Sequence, residues 1–98
     1  MNLQDVSLFL AITETRSLTQ AAKRLDVTPM AVSRRLASLE QELGTRLLQR
    51  TTRSVSLTQE GMEFLPYARA LVDAEAGAKA LFSPTTQGAS GLLRITAP

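Results

Sequence analysis

Helical spacing in three successive stretches, a switch to alternation after Gly44, and a return to helical spacing after Thr58 predict a mainly α fold. It would hold three helices, a short β-hairpin and one long final helix. Composition agrees. Hydrophobic residues make up 44% of the 98, enough for one compact domain or a small domain with an appendage. The aromatics are Phe9, Phe64, Tyr67 and Phe82 alone, so the core must come mainly from Leu, Val and Ala. Such a core suits packed helices better than an aromatic-rich sandwich.

The first helix is expected to start at an Asn2 cap, with Asp5 in the first turn where the helix dipole favours negative charge. Leu3, Val6, Phe9, Leu10 and Thr13 fall on one face and form its buried side. Ser17-Leu18-Thr19-Gln20 matches a capping box and opens a second, short helix. Leu18, Ala21, Ala22 and Leu25 form its inner face, and the paired alanines let another helix cross closely. Asp26-Val27-Thr28 breaks the chain for three residues. Thr28 and Pro29 restart it in the favoured order, cap first and proline in the first helical position. Val32, Leu36, Leu39 and Leu43 then share one buried stripe. Met30, Arg34, Ala37 and Gln41 lie on the opposite face, with Ser33 beside them. Gly44 closes the third helix.

Leu48-Gln49-Arg50 and Val55-Ser56-Leu57 alternate, and Thr51-Thr52-Arg53-Ser54 joins them as a hairpin with arginine near its tip. Thr58 caps the last helix, which runs through Phe82. Phe64, Ala68, Leu71, Ala78 and Phe82 trace an apolar seam along it, interrupted by Glu75. Pro66, inside this helix, removes one backbone donor and is expected to bend it. Two origins fit the seam: contact with a second copy of the chain, or packing back over the first helix. The two are compatible in part. Beyond Phe82, SPTTQGASG is a linker by composition, and GLLRITAP reads as the start of a strand that continues past Pro98.

Charge and residue usage narrow the function. The chain has no cysteine and no histidine, which excludes disulfides, zinc fingers, thiolate metal sites, cysteine nucleophiles and histidine bases. Glu40, Glu42, Glu60 and Glu63 lie on helical surfaces without a glycine-rich phosphate loop, so an enzyme is not expected and no cofactor is required. No signal peptide or membrane span is legible, which makes a cytoplasmic protein without a membrane partner the expectation. Net charge is only +2, yet Arg16, Lys23, Arg24, Arg34, Arg35, Arg46, Arg50 and Arg53 face only Asp26, Glu40 and Glu42 in the middle of the chain, a local +5. Arginine outnumbers lysine nine to two, which favours forked contacts to phosphate and guanine.

Two short helices separated by three residues, the second basic on its outer face, then a hairpin with an arginine tip, make a winged helix-turn-helix pattern. In that arrangement the second helix of the pair enters the major groove and presents its first turns to base edges, braced by its predecessor. The expected organisation is a winged helix-turn-helix over residues 1–57, a linker and dimerisation helix over 58–83, and a hinge with a first strand over 84–98.

From Ala21 to Gly61 the sequence also resembles the N-terminal domain of LysR-type transcriptional regulators. The matching pieces are Ala21-Ala22, Leu25, Ala31-Val32-Ser33, Leu39-Glu40, Leu43-Gly44, Leu47, Arg50, and Leu57-Thr58 with Gly61. The resemblance implies sequence-specific binding to double-stranded promoter DNA at an imperfect inverted repeat. It implies a homodimer through the linker helix, a tetramer in the full-length protein, and a small-molecule effector held by a domain after the hinge. Carried across position by position, it points to Thr28, Pro29, Met30, Ser33 and Arg34 in the third helix, and to Arg50 and Arg53 in the wing, as DNA contacts.

Each of these residues also has its own chemistry. Arg34 points away from the leucine stripe and is the leading base reader. Met30 offers only apolar contact, such as to a thymine methyl, and Pro29 has no amide hydrogen to give. Thr28 caps its helix and, with Ser33, is expected to reach phosphate. Arg53 suits a narrow minor groove. Arg50 is either a phosphate contact or a structural anchor of the hairpin. Arg35 sits at the edge of the buried stripe and is left out of the site. A purely structural dimerisation module is the rival reading, but it has no need of an arginine-bearing helix and wing.

Overall fold

The computed structural model describes residues 1–50 and 54–82. Four helices and a two-stranded antiparallel hairpin follow in the order α1 (Leu3–Thr15), α2 (Leu18–Leu25), α3 (Pro29–Leu43), β1 (Leu48–Arg50), β2 (Val55–Leu57) and α4 (Gln59–Ala80). Leu48 faces Leu57, Gln49 faces Ser56 and Arg50 faces Val55 across the hairpin.

Every helix begins on a side chain that accepts a backbone hydrogen the helix cannot satisfy itself. The Asn2 side chain accepts from the Gln4 N–H at 2.7 Å, Ser17 Oγ from Gln20 at 3.1 Å, Thr28 Oγ1 from Ala31 at 3.1 Å and Thr58 Oγ1 from Gly61 at 2.9 Å. The three short helices end on a left-handed residue: Arg16 (φ 56°), Asp26 (φ 59°) and Gly44 (φ 74°). Past the ends of α2 and α3, Val27 N–H reaches back to the Ala22 carbonyl at 3.0 Å and Thr45 N–H to the Glu40 carbonyl at 3.1 Å. These closures take up carbonyls that would otherwise be orphaned and turn the chain sharply between helices.

The core is one cluster with α1 at its centre. Val6, Leu8, Phe9, Ala11 and Ile12 are buried between α2 and α3 on one side and α4 and β2 on the other. The expected single stripe of Leu3, Val6, Phe9, Leu10 and Thr13 is therefore too narrow. Leu3, Leu10 and Thr13 are half-buried, while Leu8, Ala11 and Ile12 are covered because neighbours surround most of the helix. Ala21 and Ala22 are fully buried, as a close helix crossing requires. From α3, Val32, Leu36 and Leu39 enter the core, but Leu43 does not. It is the last residue of α3 and remains 36% exposed. Leu47, Leu48 and Val55 close the core from the hairpin.

The long helix α4 runs without interruption through Pro66. Its first half docks on α1: Phe64 lies with its ring centroid 5.4 Å from that of Phe9, tilted by 52°, and Ala68 is completely buried. Residues 84–98, expected to be a hinge and a first strand, lie outside the described residues.

Candidate nucleic-acid interface

With Val32, Leu36 and Leu39 turned into the core, the helical period places the side chains between them on the outside. Met30 is 72% exposed, and Thr28, Pro29, Arg34, Ala37 and Gln41 are exposed beside it. Thr28 is fixed by its capping bond to Ala31, so its hydroxyl stands at the very start of α3. Pro29 occupies the first helical position, where its missing N–H leaves no bond unmade. No hydrogen bond or ion pair engages the Arg34 side chain among the described residues, and its guanidinium stands in solvent.

The end of β1 comes up against the same face. The Arg50 Nη1 donates to Ser33 Oγ at 3.3 Å, a neutral hydroxyl rather than a carboxylate, so the fork of the guanidinium keeps donors to spare. This contact joins two of the expected site residues, one in the first half of α3 and one at the end of β1, and Ser33 is half-buried. Arg46 and Arg50 line a shallow depression with Ala37, Glu40, Gln41 and Thr45. Arg46 was not among the expected contacts, because its position before β1 has no periodic signal. Arg53 lies outside the described residues.

Other charges are placed away from this face. Arg35 lines a separate cleft of about 430 Å³ with Leu3, Leu8, Val27, Glu75 and Lys79, between the start of α1 and the far half of α4. Arg24 pairs with Glu14, both exposed, which ties α2 to α1 on the outside of the domain. Surface pairs of this kind contribute little to stability.

The seam of α4 divides in two. Phe64, half-buried against Phe9, and Ala68, fully buried, pack into this chain, which is the second of the two origins expected for the seam, and Ala68 has no surface left to offer. The reason is that α1 lacks enough cover without α4. Farther along, Leu71 is half-buried, Ala78 is exposed and Phe82 is 86% exposed. Tyr67 and Leu81 add exposed apolar surface on the same helix and its end. No helix among the described residues is long and apolar enough to cross a membrane.

Residues 3–62 match the family described as bacterial regulatory helix-turn-helix protein, lysR family. The chain belongs to the LysR family. Its four helices and two-stranded hairpin are the winged helix-turn-helix of LysR-type DNA-binding domains, and its relatives are named as transcriptional regulators. It is 42% identical over 101 residues to a probable hydrogen peroxide-inducible genes activator of Mycobacterium xenopi, covering 98% of this chain and 53% of that protein. Among solved structures, it is similar to the BenM DNA-binding domain in complex with catB site 1 DNA. That likeness has a TM-score of 0.80 and 34% identity, covering 91% of this chain and all of that one. The CbnR DNA-binding domain in complex with DNA matches at a TM-score of 0.78 and 32% identity, over 82% of this chain and 92% of that one. The LysR-family chain spans about a third to a half of the length of the curated relatives it matches.

Proposed function

We propose that this domain reads a double-stranded promoter site in a sequence-specific manner, with α3 in the major groove and the hairpin at the adjoining minor groove. The observation that carries the reading is the Arg50–Ser33 contact. It joins the wing to the recognition helix, so that Thr28, Met30, Ser33, Arg34, Arg46 and Arg50 form one surface across two elements. Arg34 reads a base, Met30 packs on a thymine methyl, and Thr28, Ser33, Arg46 and Arg50 hold phosphates, which fix register without reading sequence. Arg53 supplies the minor-groove charge. Similarity to two domains solved on DNA supports the same assignment.

The apolar residues from Leu71 to Phe82, along the far half of α4 and just past its end, pair with a second copy, and the two heads read an imperfect inverted repeat. In the full-length protein, the dimer assembles further into a tetramer and a domain after the hinge binds a small-molecule effector. The protein acts in the cytoplasm, as a regulator and not as an enzyme.

The test is a titration of a labelled duplex from the regulator's own upstream region, beside a scrambled duplex, at several salt concentrations. Binding that beats the scramble by about a thousandfold, with a steep salt slope, is expected. Absence of binding to either duplex at low salt overturns the DNA-reading function and leaves α4 as the functional part.

A further inference from the structure

Glu40 was expected on a helical surface, yet it is half-buried and its carboxylate is engaged. Its Oε2 accepts hydrogen bonds from Leu47 N–H at 2.7 Å and from Leu48 N–H at 3.1 Å. Leu47 and Leu48 bury their side chains almost completely, so these two donors sit where water is scarce. From the other side, Thr58 Oγ1 donates to the Arg46 carbonyl at 2.6 Å and Thr58 N–H donates to the Leu47 carbonyl at 3.0 Å. The root of the hairpin is therefore gripped by α3 through one carboxylate and by the start of α4 through one threonine.

We infer that Glu40 is a positioning residue for DNA recognition: it sets the wing's direction against α3, which brings Arg50 onto the face that carries Arg34. The inference rests on the DNA-reading function proposed above. Glu40 and Arg50 line the same depression, so the carboxylate lies beside the DNA-facing surface. Charge and geometry then predict opposite signs. On charge alone, removing a negative group next to a phosphate-binding surface raises affinity. If Glu40 acts by holding the wing, its removal lowers affinity despite the better charge. The amide oxygen of glutamine has two lone pairs and can accept both backbone hydrogens, so Glu40→Gln keeps the anchor while losing the charge.

The experiment measures affinity of wild type, Glu40→Ala, Glu40→Gln, Arg50→Ala and the Glu40→Ala/Arg50→Ala double variant for the cognate duplex, well below each variant's unfolding temperature. Expected is a loss of about tenfold for Glu40→Ala, wild-type or tighter binding for Glu40→Gln, and a double variant within about twofold of the weaker single one, because both changes remove one contact. Unchanged or tighter binding by Glu40→Ala, or losses that multiply in the double variant, overturns the inference. Should Glu40→Ala not fold, Glu40→Asp takes its place. It keeps the charge and withdraws the oxygens by one methylene, so a charge effect predicts no change and a positioning effect predicts a loss.

Amide exchange in the protein without DNA separates this inference from the function it rests on. Glu40→Ala (or Glu40→Asp in its place) is expected to speed exchange at Leu47 and Leu48 and move the Arg50 and Val55 resonances, and Glu40→Gln to leave both in place. Unchanged exchange means that Glu40 does not anchor the hairpin, whatever the wild type binds. Failure of the wild type to bind any duplex counts against the DNA-reading function instead.

Discussion

Arg34 leaves α3 on the side away from Val32, Leu36 and Leu39, where nothing in its own chain among the described residues competes for its guanidinium. A side chain so placed contributes little to folding, and its removal is expected to leave thermal stability almost unchanged. A bidentate arginine–guanine pair is worth about 1–3 kcal/mol of discrimination. Arg34→Ala is therefore expected to weaken binding to the cognate duplex by roughly tenfold to a hundredfold and to random duplex far less. Equal losses on both, measured by parallel titration, reduce Arg34 to a phosphate contact. Met30 and Pro29 narrow the chemistry at the tip of the helix. A thioether and a ring without a donor favour apolar contact over hydrogen-bonded base reading.

At the scale of elements, the hairpin and the start of α4 meet so closely that one residue has no room for a side chain. A Cβ built on Gly61 falls 2.1 Å from the Leu47 carbonyl oxygen and 3.0 Å from a Leu57 methyl carbon. Alanine favours a helix over glycine by about 1 kcal/mol. The obstacle here is a backbone oxygen that cannot rotate aside, and overpacking costs about 1–3 kcal/mol, more for a clash this deep. The clash wins. Gly61→Ala is expected to lower the melting temperature by several degrees in a circular-dichroism melt. An unchanged or higher melting temperature contradicts the close approach. Nothing in the sequence marks Gly61 for this role apart from its place in the family pattern.

Local features were the legible ones, for a physical reason. Asn2, Ser17, Thr28 and Thr58 are caps because they act within three residues of themselves, and the α3 stripe follows from a period within one helix. The alternation after Gly44 placed both strands on the residues that form them. Features set by a distant partner were not legible. Glu40 reaches donors seven and eight residues away across a turn. The wide buried face of α1 depends on four neighbours at once, which no single period encodes. The α4 seam was legible as apolar, but its division was not, because a helical stripe looks the same whether Phe9 or a second chain covers it.

For the whole molecule, that division bears on where the proposed second copy would bind. Phe64 and Ala68 serve the chain's own core, which leaves Leu71, Ala78, Phe82 and their exposed neighbours for the proposed pairing. Phe82 touches little of its own domain, and a charge there should spare the fold. Phe82→Asp is expected to shift a dimer at micromolar concentration toward monomer in sedimentation while the melting profile of the monomer is retained. Wild-type protein sedimenting only as monomer, or a variant indistinguishable from a dimeric wild type, overturns the pairing through this stretch.

The contact between Phe9 and Phe64 makes α1 a common wall: α3 leans on one side of it and α4 on the other, with Ala68 sealed against it. In the proposed pair joined through α4, the two reading heads would then behave as the jaws of a caliper held at one opening. A half-site out of phase would have to be met by torsion or curvature of the duplex rather than by a swivel within either head. Such a device would weigh the pliability of the bases lying between its jaws, including those that no side chain touches.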